Sequence, residues 1–301
     1  MGRQNIAFLY ARVAKDPNIQ INKETGEYQL GMVYLDVVRG KREIDDKVNF
    51  VKHDKPMVVT RERDLIEDIA TWKENNIVLV KGVLTTSKIA KPSYCTHCTD
   101  ENGSPTKNIT DGNFVYVTPI FVQKIMDCDS KAEAIEEITK KREISNQIYI
   151  LGTVLKDPKL ITTKQGVQFT QYPIAINRKF IIRTDDPDIR TDWPIVKSYG
   201  EQARDDKTYL RYQAEVIIDG FLQARTVRRK RKCDCCGEIY TWQDKALELV
   251  PYDVEYVSGH KTKEEAEAEY EHTVEEYKQM LYDSQYKDII DDDLRSEDVD
   301  S

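Results

Sequence analysis

The sequence predicts a mainly β protein built from two copies of one small barrel, and two observations support this. First, segments of the opening 130 residues recur in the same order between residues 146 and 266. Second, both copies carry short runs rich in β-branched and aromatic residues, separated by turn residues. A chain of 301 residues is long enough for two domains that each bury a core.

The internal repeat is defined by three offsets that differ only by loop-sized gaps, which indicates a true duplication. The aligned segments are 5–17 with 146–158 at an offset of 141; 54–56 with 192–194, 78–82 with 216–220 and 95–98 with 233–236 at 138; and 130–134 with 262–266 at 132.

Each copy is predicted to hold about five strands, with a helix between the third and the fourth. This is the layout of the OB-fold barrel. The clearest predicted strands are 6–13, 28–38, 77–84 and 114–122 in the first copy, and 148–154, 168–177, 215–222 and 246–254 in the second; the helices are 64–74 and 201–212.

A charged helix is predicted after each barrel, because Ser130 and Thr262 precede Glu133 and Glu265 at capping-box spacing. The predicted organisation is OB-fold repeat 1 over 1–128, a helical linker over 129–145, OB-fold repeat 2 over 146–258, a C-terminal helix over 259–287, and an acidic disordered C-terminal tail over 288–301.

Charge is distributed unevenly along the chain. From residue 259 onward there are 15 Asp and Glu against 5 Lys and Arg, a net charge of −10 within a total of −8. The other 258 residues therefore carry +2. No apolar run has the length of a membrane span, and the first residues do not resemble a signal peptide. We therefore expect no membrane association and a cytoplasmic location, in a bacterium or as a phage product.

Four of the six cysteines form two C-x-x-C pairs at equivalent positions of the two repeats. If the equivalent hairpins meet on a pseudo-two-fold axis, they supply the four thiolates of a structural zinc site. The predicted ligands are Cys95, Cys98, Cys233 and Cys236. An alternative places a separate ion in each hairpin, with the help of His97 or Cys235.

Residues 146–258 resemble the bacterial single-stranded DNA-binding protein (SSB) family. The similar segments are 146–152 with 156–158, then 172–180, 191–203 and 216–222, in the family's order. The resemblance implies that Trp193 and Tyr199 stack on bases and that the hairpin after the fourth strand grips the DNA backbone. Repeat 1 has Lys55 and Arg61 at the positions equivalent to these aromatics, so its stacking platform is expected to be altered or lost.

Binding an unpaired strand requires aromatic faces for bases and cations for phosphates, and repeat 2 has both. Trp193 and Tyr199 are six residues apart on one predicted strand, which would place them on the same face. The full predicted DNA-binding set is Trp193, Tyr199, Arg178, Lys179, Phe180, Arg225, Arg228, Arg229, Lys230, Arg231 and Lys232.

The sequence predicts a protein that binds and protects single-stranded DNA during replication, recombination or repair. It contains no phosphate-binding loop, nucleophile elbow or metalloprotease motif, so we expect no enzymatic activity. The alternatives are a primosome-like adaptor that recruits replication proteins, an RNA-binding OB protein and, more remotely, an enzyme with a catalytic zinc.

Interactions with other proteins are expected at the C-terminal end. The acidic tail either serves only solubility, or it competes electrostatically with DNA or acts as a docking surface for replication or recombination proteins. It lacks the apolar tip of the SSB family. We expect the tandem repeat to mimic an OB-fold homodimer. Two chains would then pair into a particle of four barrels.

Overall fold

Repeat 1 forms a closed ring of five strands in this computed structural model, which describes residues 4–41, 51–184 and 188–297. The elements of repeat 1 are β1 Gln4–Val13, β2 Asn18–Ile21, β3 Tyr28–Val38, β4 His53–Asp54, β5 Met57–Thr60, α1 Arg63–Ala70, β6 Ile77–Thr99, β7 Pro105–Met126, α2 Lys131–Lys140 and α3 Arg142–Ser145. The ring runs β1–β3–β5–β7–β6 and back to β1, with β5 and β7 parallel and the other neighbours antiparallel.

Repeat 2 forms the same ring. Its elements are β8 Gln147–Val154, β9 Lys159–Thr162, β10 Gln168–Asn177, β11 Thr191–Asp192, β12 Ile195–Tyr199, α4 Gly200–Tyr209, β13 Glu215–Lys232, β14 Ile239–Ser258 and α5 Lys263–Glu297. The strand order is β8–β10–β12–β14–β13, with β12 and β14 as the parallel pair. Two five-stranded rings, each with a helix before the fourth strand, confirm the predicted tandem OB fold.

The two barrels join through their first strands. β1 pairs antiparallel with β8, from Gln4 opposite Leu151 to Phe8 opposite Gln147, so a single sheet runs through both repeats. Asn5 exchanges two hydrogen bonds with the backbone of Leu84, of 2.9 and 2.8 Å. Its equivalent Asn146 makes the same pair with Leu222 in repeat 2. These amides satisfy buried backbone groups that have no strand partner at that point.

A second link between the repeats is a buried arginine–aspartate pair in each. Arg178 contacts Asp192 with two hydrogen bonds, of 2.6 and 2.7 Å, and both side chains are buried. Asp192 Oδ1 also accepts the backbone N–H of Thr86 from repeat 1, at 2.7 Å. The carboxylate of repeat 2 therefore holds the fourth strand of repeat 1.

The equivalent pair in repeat 1 does the same in the opposite direction. Arg39 contacts Asp54 at 2.6 and 3.0 Å, and Asp54 Oδ1 accepts the backbone N–H of Ala224 at 2.9 Å. We call this reciprocal arrangement the interlock: it consists of Arg39, Asp54, Arg178 and Asp192, together with the two backbone N–H groups that the carboxylates accept.

Two long hairpin arms, β6–β7 and β13–β14, extend beyond the barrels. They are longer than the predicted strands because pairing continues along the arms. In repeat 1 it is regular to Tyr94 opposite Lys107 and resumes, after an irregularity, at Thr99 opposite Pro105; in repeat 2 it continues to Lys232 opposite Ile239. Where each arm leaves its barrel, a glycine faces a proline across a bulge: Gly82 opposite Pro119, and Gly220 opposite Pro251. A Cβ atom on Gly82 would lie 2.6 Å from the carbonyl oxygen of Thr118, so only glycine fits this close approach.

The arms pack against each other through polar contacts between repeats. Ser93 Oγ and the Tyr240 hydroxyl are 2.6 Å apart, and both residues are buried. Lys91 Nζ of one arm contacts Asp244 of the other at 2.8 Å. Closer to the tips, the backbone N–H of Asp234 donates to Asn108 Oδ1 at 3.0 Å. The two arms therefore form one unit that both repeats build.

The terminal helices begin as predicted. Ser130 Oγ accepts the N–H of Glu133 and Thr262 Oγ1 accepts that of Glu265, each at 3.2 Å. Helix α5 continues to Glu297, past the predicted boundary at 287 and into the predicted tail, because no glycine or proline follows Gly259 to end it. Residues 298–301 lie outside the described residues. Within the described part of the chain, no helix combines the length and apolarity that a membrane span requires.

Replacing Asp192 with alanine should lower the free energy of unfolding by about 3–5 kcal/mol, because it leaves the buried Arg178 guanidinium without a counter-charge. Urea unfolding of the full chain measures this. Glu67→Ala is the matched control, since its ion pair with Arg63 is exposed and should be worth less than about 1 kcal/mol. Equal losses in the two variants would show that the interlock contributes no more than a surface ion pair.

Candidate nucleic-acid interface and four-cysteine cluster

A groove of about 1130 Å³ runs between the two barrels and along the bases of both arms. Both repeats line it, and two of the lining residues are exposed aromatics: Tyr34 of repeat 1 at 47 % and Trp193 of repeat 2 at 42 %. Phe114 and Trp242, partly buried on the arms, also line it. An open groove of this size suits a chain-like ligand better than a small molecule.

Trp193 lies in the groove, but the predicted continuous strand from Trp193 to Tyr199 is wrong. Pro194 cannot donate a ladder hydrogen bond, so the strand is divided into β11 and β12, with Trp193 between them. The backbone N–H of Trp193 donates instead to Thr86 Oγ1 of repeat 1, at 3.0 Å. This bond places the exposed indole at the junction between the repeats.

Tyr199, at the end of β12, is outside the groove lining. Its ring is half-buried beside Phe169, with 6.2 Å between ring centroids. Lys197 Nζ lies 4.3 Å from the Phe169 centroid and 5.6 Å from that of Tyr199. Burial, followed by the nearby Glu248 carboxylate, raises the pKa of the Tyr199 phenol. Of the two aromatics that the family resemblance implies, Trp193 therefore lines the groove and Tyr199 does not.

The three consecutive residues predicted after the second strand have different surroundings. Arg178 is buried in the interlock, so its guanidinium is occupied by Asp192 and by the carbonyl of Ile189 at 2.9 Å. Its assignment as a DNA contact is corrected to a structural one. Lys179 is exposed and Phe180 is partly buried, and neither lines the groove.

The basic run on β13 is divided by strand alternation. Arg225, Arg229 and Arg231 form ion pairs with Glu248 at 2.9 Å, Asp244 at 2.7 Å and Asp234 at 2.7 Å. Arg228, Lys230 and Lys232 point to the other face, where they are exposed and have no carboxylate partner among the described residues. Only half of the predicted cations are therefore free of an internal counter-charge.

Lys245 on β14 extends this exposed row toward the groove. It pairs across the arm with Thr226, two residues from Arg228 on the same face, and it also lines the groove. We call Arg228, Lys230, Lys232 and Lys245 the cation stripe. It connects the groove with the outer part of the repeat 2 arm.

The four predicted ligand cysteines meet where the arms end. Cys95 Sγ lies 3.8 Å from Cys236 Sγ, Cys98 Sγ lies 3.7 Å from Cys233 Sγ, and all four sulfurs lie within 4.8 Å of one another. Four ligands at the usual zinc–sulfur distance of about 2.3 Å stand about 3.8 Å apart in a tetrahedron. These separations are far longer than a disulfide bond. The sulfur positions therefore fit one tetrahedral metal ion.

The sulfurs also receive hydrogen bonds. The backbone N–H of His97 donates to Cys95 Sγ at 3.3 Å, and Asn108 Nδ2 donates to Cys233 Sγ at 3.6 Å. Hydrogen bonds from the backbone N–H groups of Cys236 and then Cys235 help to lower the pKa of the Cys233 thiol to about 6. Donors of this kind stabilise thiolates, which are the form that binds metal.

The pairing of the sulfurs favours one shared site over one ion in each hairpin. Each of the two close contacts joins a cysteine of repeat 1 to a cysteine of repeat 2. His97 and Cys235, the extra ligands that two separate sites would require, are both exposed and lie outside the cluster.

Several groove residues are missing from the predicted set because arm packing, which sequence patterns do not reveal, brings them together. They are Lys15, Tyr34, Lys55, Lys88, Phe114 and Trp242. The internal repeat gave one usable signal, since Lys55 is the equivalent of Trp193. By itself this equivalence predicts only the loss of a stacking residue, whereas the structure places Lys55 in the groove.

The second repeat is similar in sequence to known proteins. Residues 145–234 match the model of the Single-strand binding protein family. Single-stranded DNA-binding protein 2 of Staphylococcus aureus (strain Mu50 / ATCC 700699) is 31 % identical over 85 residues, which are 28 % of this chain and 59 % of that relative.

The fold comparison extends over both repeats. The crystal structure of the wild-type single-stranded DNA binding protein from Thermus aquaticus superposes with a TM-score of 0.50 at 15 % identity, over 87 % of this chain and 97 % of that one. At this identity the likeness concerns the fold alone. It supports an OB fold that both repeats share, and the similarity in sequence to the single-strand binding protein family is confined to the second repeat.

Proposed function

We propose that this protein binds single-stranded DNA in the groove between its repeats and along the cation stripe. The observation that carries the proposal is that the exposed indole of Trp193 lines the same groove as Lys245, an exposed cation with no carboxylate partner among the described residues, on a repeat that matches the family. Stacking and phosphate contacts do not depend on base identity. The protein would therefore coat and protect single strands of any sequence during replication, recombination or repair.

A zinc ion bound by Cys95, Cys98, Cys233 and Cys236 is the second part of the proposal. The sulfur separations fit a tetrahedral shell, and each repeat contributes two ligands. Four protein thiolates leave no position for a catalytic water. The role we assign is therefore structural: the ion fastens one arm to the other, and no enzymatic step depends on it.

An adaptor role is a second candidate, favoured by helix α5. This acidic helix exposes large apolar side chains that pack on neither barrel: Tyr270 at 72 %, Tyr277 at 62 % and Met280 at 69 %. Large exposed apolar residues often mark sites of protein interaction. Weak DNA binding together with recruitment of another protein through α5 would favour this role.

Trp193→Ala should weaken binding to oligo(dT) by about 1–3 kcal/mol, because the strand loses one stacked base. The measurement is a fluorescence anisotropy titration with labelled oligo(dT), which does not rely on the removed tryptophan. Tyr212→Ala, which removes an exposed ring outside the groove, is the control. Oligo(U) of equal length tests the RNA alternative, and undiminished affinity of Trp193→Ala would contradict stacking.

Arg228→Gln, Lys230→Gln and Lys232→Gln should each reduce the slope of log K against log salt by about 0.7, the value for one phosphate contact on a single strand. Arg229→Gln and Arg231→Gln are controls from the same strand and should change the slope less, since carboxylates already neutralise these side chains. Equal effects on both faces of β13 would show that strand alternation does not select the contacting cations.

The purified chain should contain one zinc ion, and cobalt(II) substitution should give the absorption of a tetrahedral thiolate site. Cys98→Ser should abolish both signals, whereas Cys235→Ser should leave them unchanged. Chelation should expose the arm tips to proteolysis while both barrels persist. Two ions per chain, or loss of metal in Cys235→Ser, would contradict a single shared site.

A further inference from the structure

We propose that repeat 1 supplies the second wall of one composite DNA site, in which Tyr34, Lys15, Lys55 and Lys88 contact the same strand that stacks on Trp193. The inference rests on the proposed function and assigns to repeat 1 a binding role that its altered aromatic positions had argued against. Each chain then has one continuous site across both repeats.

The interlock gives Lys55 and Trp193 equivalent positions on the two sides of the groove. Lys55 directly follows Asp54, and Trp193 directly follows Asp192, so each side chain is the neighbour of a buried carboxylate bound to the opposite arm. Both residues line the groove. One wall therefore presents an ammonium group where the other presents an indole, which provides a phosphate contact opposite a stacking contact.

Tyr34 provides an exposed ring on the repeat 1 wall. It lies on β3 opposite Met57 of β5, which also lines the groove, and 47 % of its surface is exposed. Tyr34 does not occupy the position equivalent to Trp193, so comparison of the repeats alone would not identify it. A ring on each wall allows bases of one strand to stack on both repeats.

The charges of the groove also favour a polyanion on the repeat 1 side. Three of the four carboxylates that line the groove are held in ion pairs: Asp54 with Arg39, Asp244 with Lys91 and Arg229, and Glu248 with Arg225 and Lys197. Among the residues that the structure describes, four exposed lining lysines have no carboxylate partner, and three of them belong to repeat 1: Lys15, Lys55 and Lys88, with Lys245 from repeat 2. The fourth lining carboxylate, Asp111, is exposed on the same repeat 1 wall, where three unpaired lysines outnumber it. The unpaired positive charge is therefore concentrated on the wall that lacks Trp193.

The test uses the full, metal-loaded chain and anisotropy titrations with labelled oligo(dT). Tyr34→Ala should weaken binding by about 5- to 150-fold, the range for loss of one stacked base. Lys55→Gln and Lys88→Gln should each reduce the salt slope by about 0.7. Tyr212→Ala and Lys23→Gln, exposed residues outside the groove, are matched controls and should change neither quantity. Thermal unfolding of every variant verifies that the fold is retained.

Photocrosslinking with 5-iododeoxyuridine oligonucleotides gives an independent readout. In a complex of one oligonucleotide with one chain, crosslinked peptides should come from both repeats and include Tyr34 and Trp193. If the native chain does not bind single strands, the proposed function itself fails. If it binds and Trp193→Ala weakens it, but Tyr34→Ala, Lys55→Gln and Lys88→Gln behave like the controls, the composite site is wrong and repeat 2 binds alone.

Discussion

The interlock is the interaction on which the arrangement of the molecule depends. A buried carboxylate is costly unless charged and polar partners surround it, and Asp54 and Asp192 find some of those partners in the opposite repeat. Neither aspartate is therefore fully satisfied unless both barrels are folded and docked. Fixed docking aligns the bases of the arms, which sets the shape of the groove and brings the two cysteine pairs within reach of a single ion. The sheet through β1 and β8 joins the barrels, but the interlock determines how the groove and the cysteine cluster are arranged.

The two proposed sites use the arms in different ways. The bases of the arms line the groove, where a ligand needs accessible rings and cations. The tips hold the cysteine cluster, in which Cys95 and Cys233 are buried and pack with Tyr240 and Trp242, whereas Cys236 is exposed. Trp242 lines the groove and also packs on the cysteine cluster, so the two sites are in physical contact. A metal ion that fixes the arm tips would also limit the motion of one groove wall.

The fold could be predicted from the sequence to a large extent, because the internal repeat and the strand pattern can be recognised without knowing how the segments pack. The four cysteines were identified for the same reason: equivalent residues of a duplicated unit must lie in equivalent places. The surface that we propose for DNA is less predictable from the sequence, because it depends on which side chains find partners. Arg178 is predicted as a DNA contact but is buried against Asp192. The run from Arg228 to Lys232 does not indicate which of its residues form ion pairs with Asp234 and Asp244. Contacts between segments distant in sequence determine which of these cations are paired. The division of the strand between Trp193 and Tyr199 is different, because Pro194 is a local signal that predicts it.

The pairing of β1 with β8 inside one polypeptide has a consequence for how such a surface can change. In a dimer of identical subunits every substitution appears twice, so a lysine that improves one side of the axis also replaces the aromatic residue on the other. Here the two sides are separate positions of one chain, and position 55 can differ from position 193 without disturbing the pairing of the barrels. Because the partners are covalently linked, their association does not weaken on dilution. The tandem arrangement thus keeps the geometry of a two-fold assembly, while the residues at equivalent positions of the two repeats can differ.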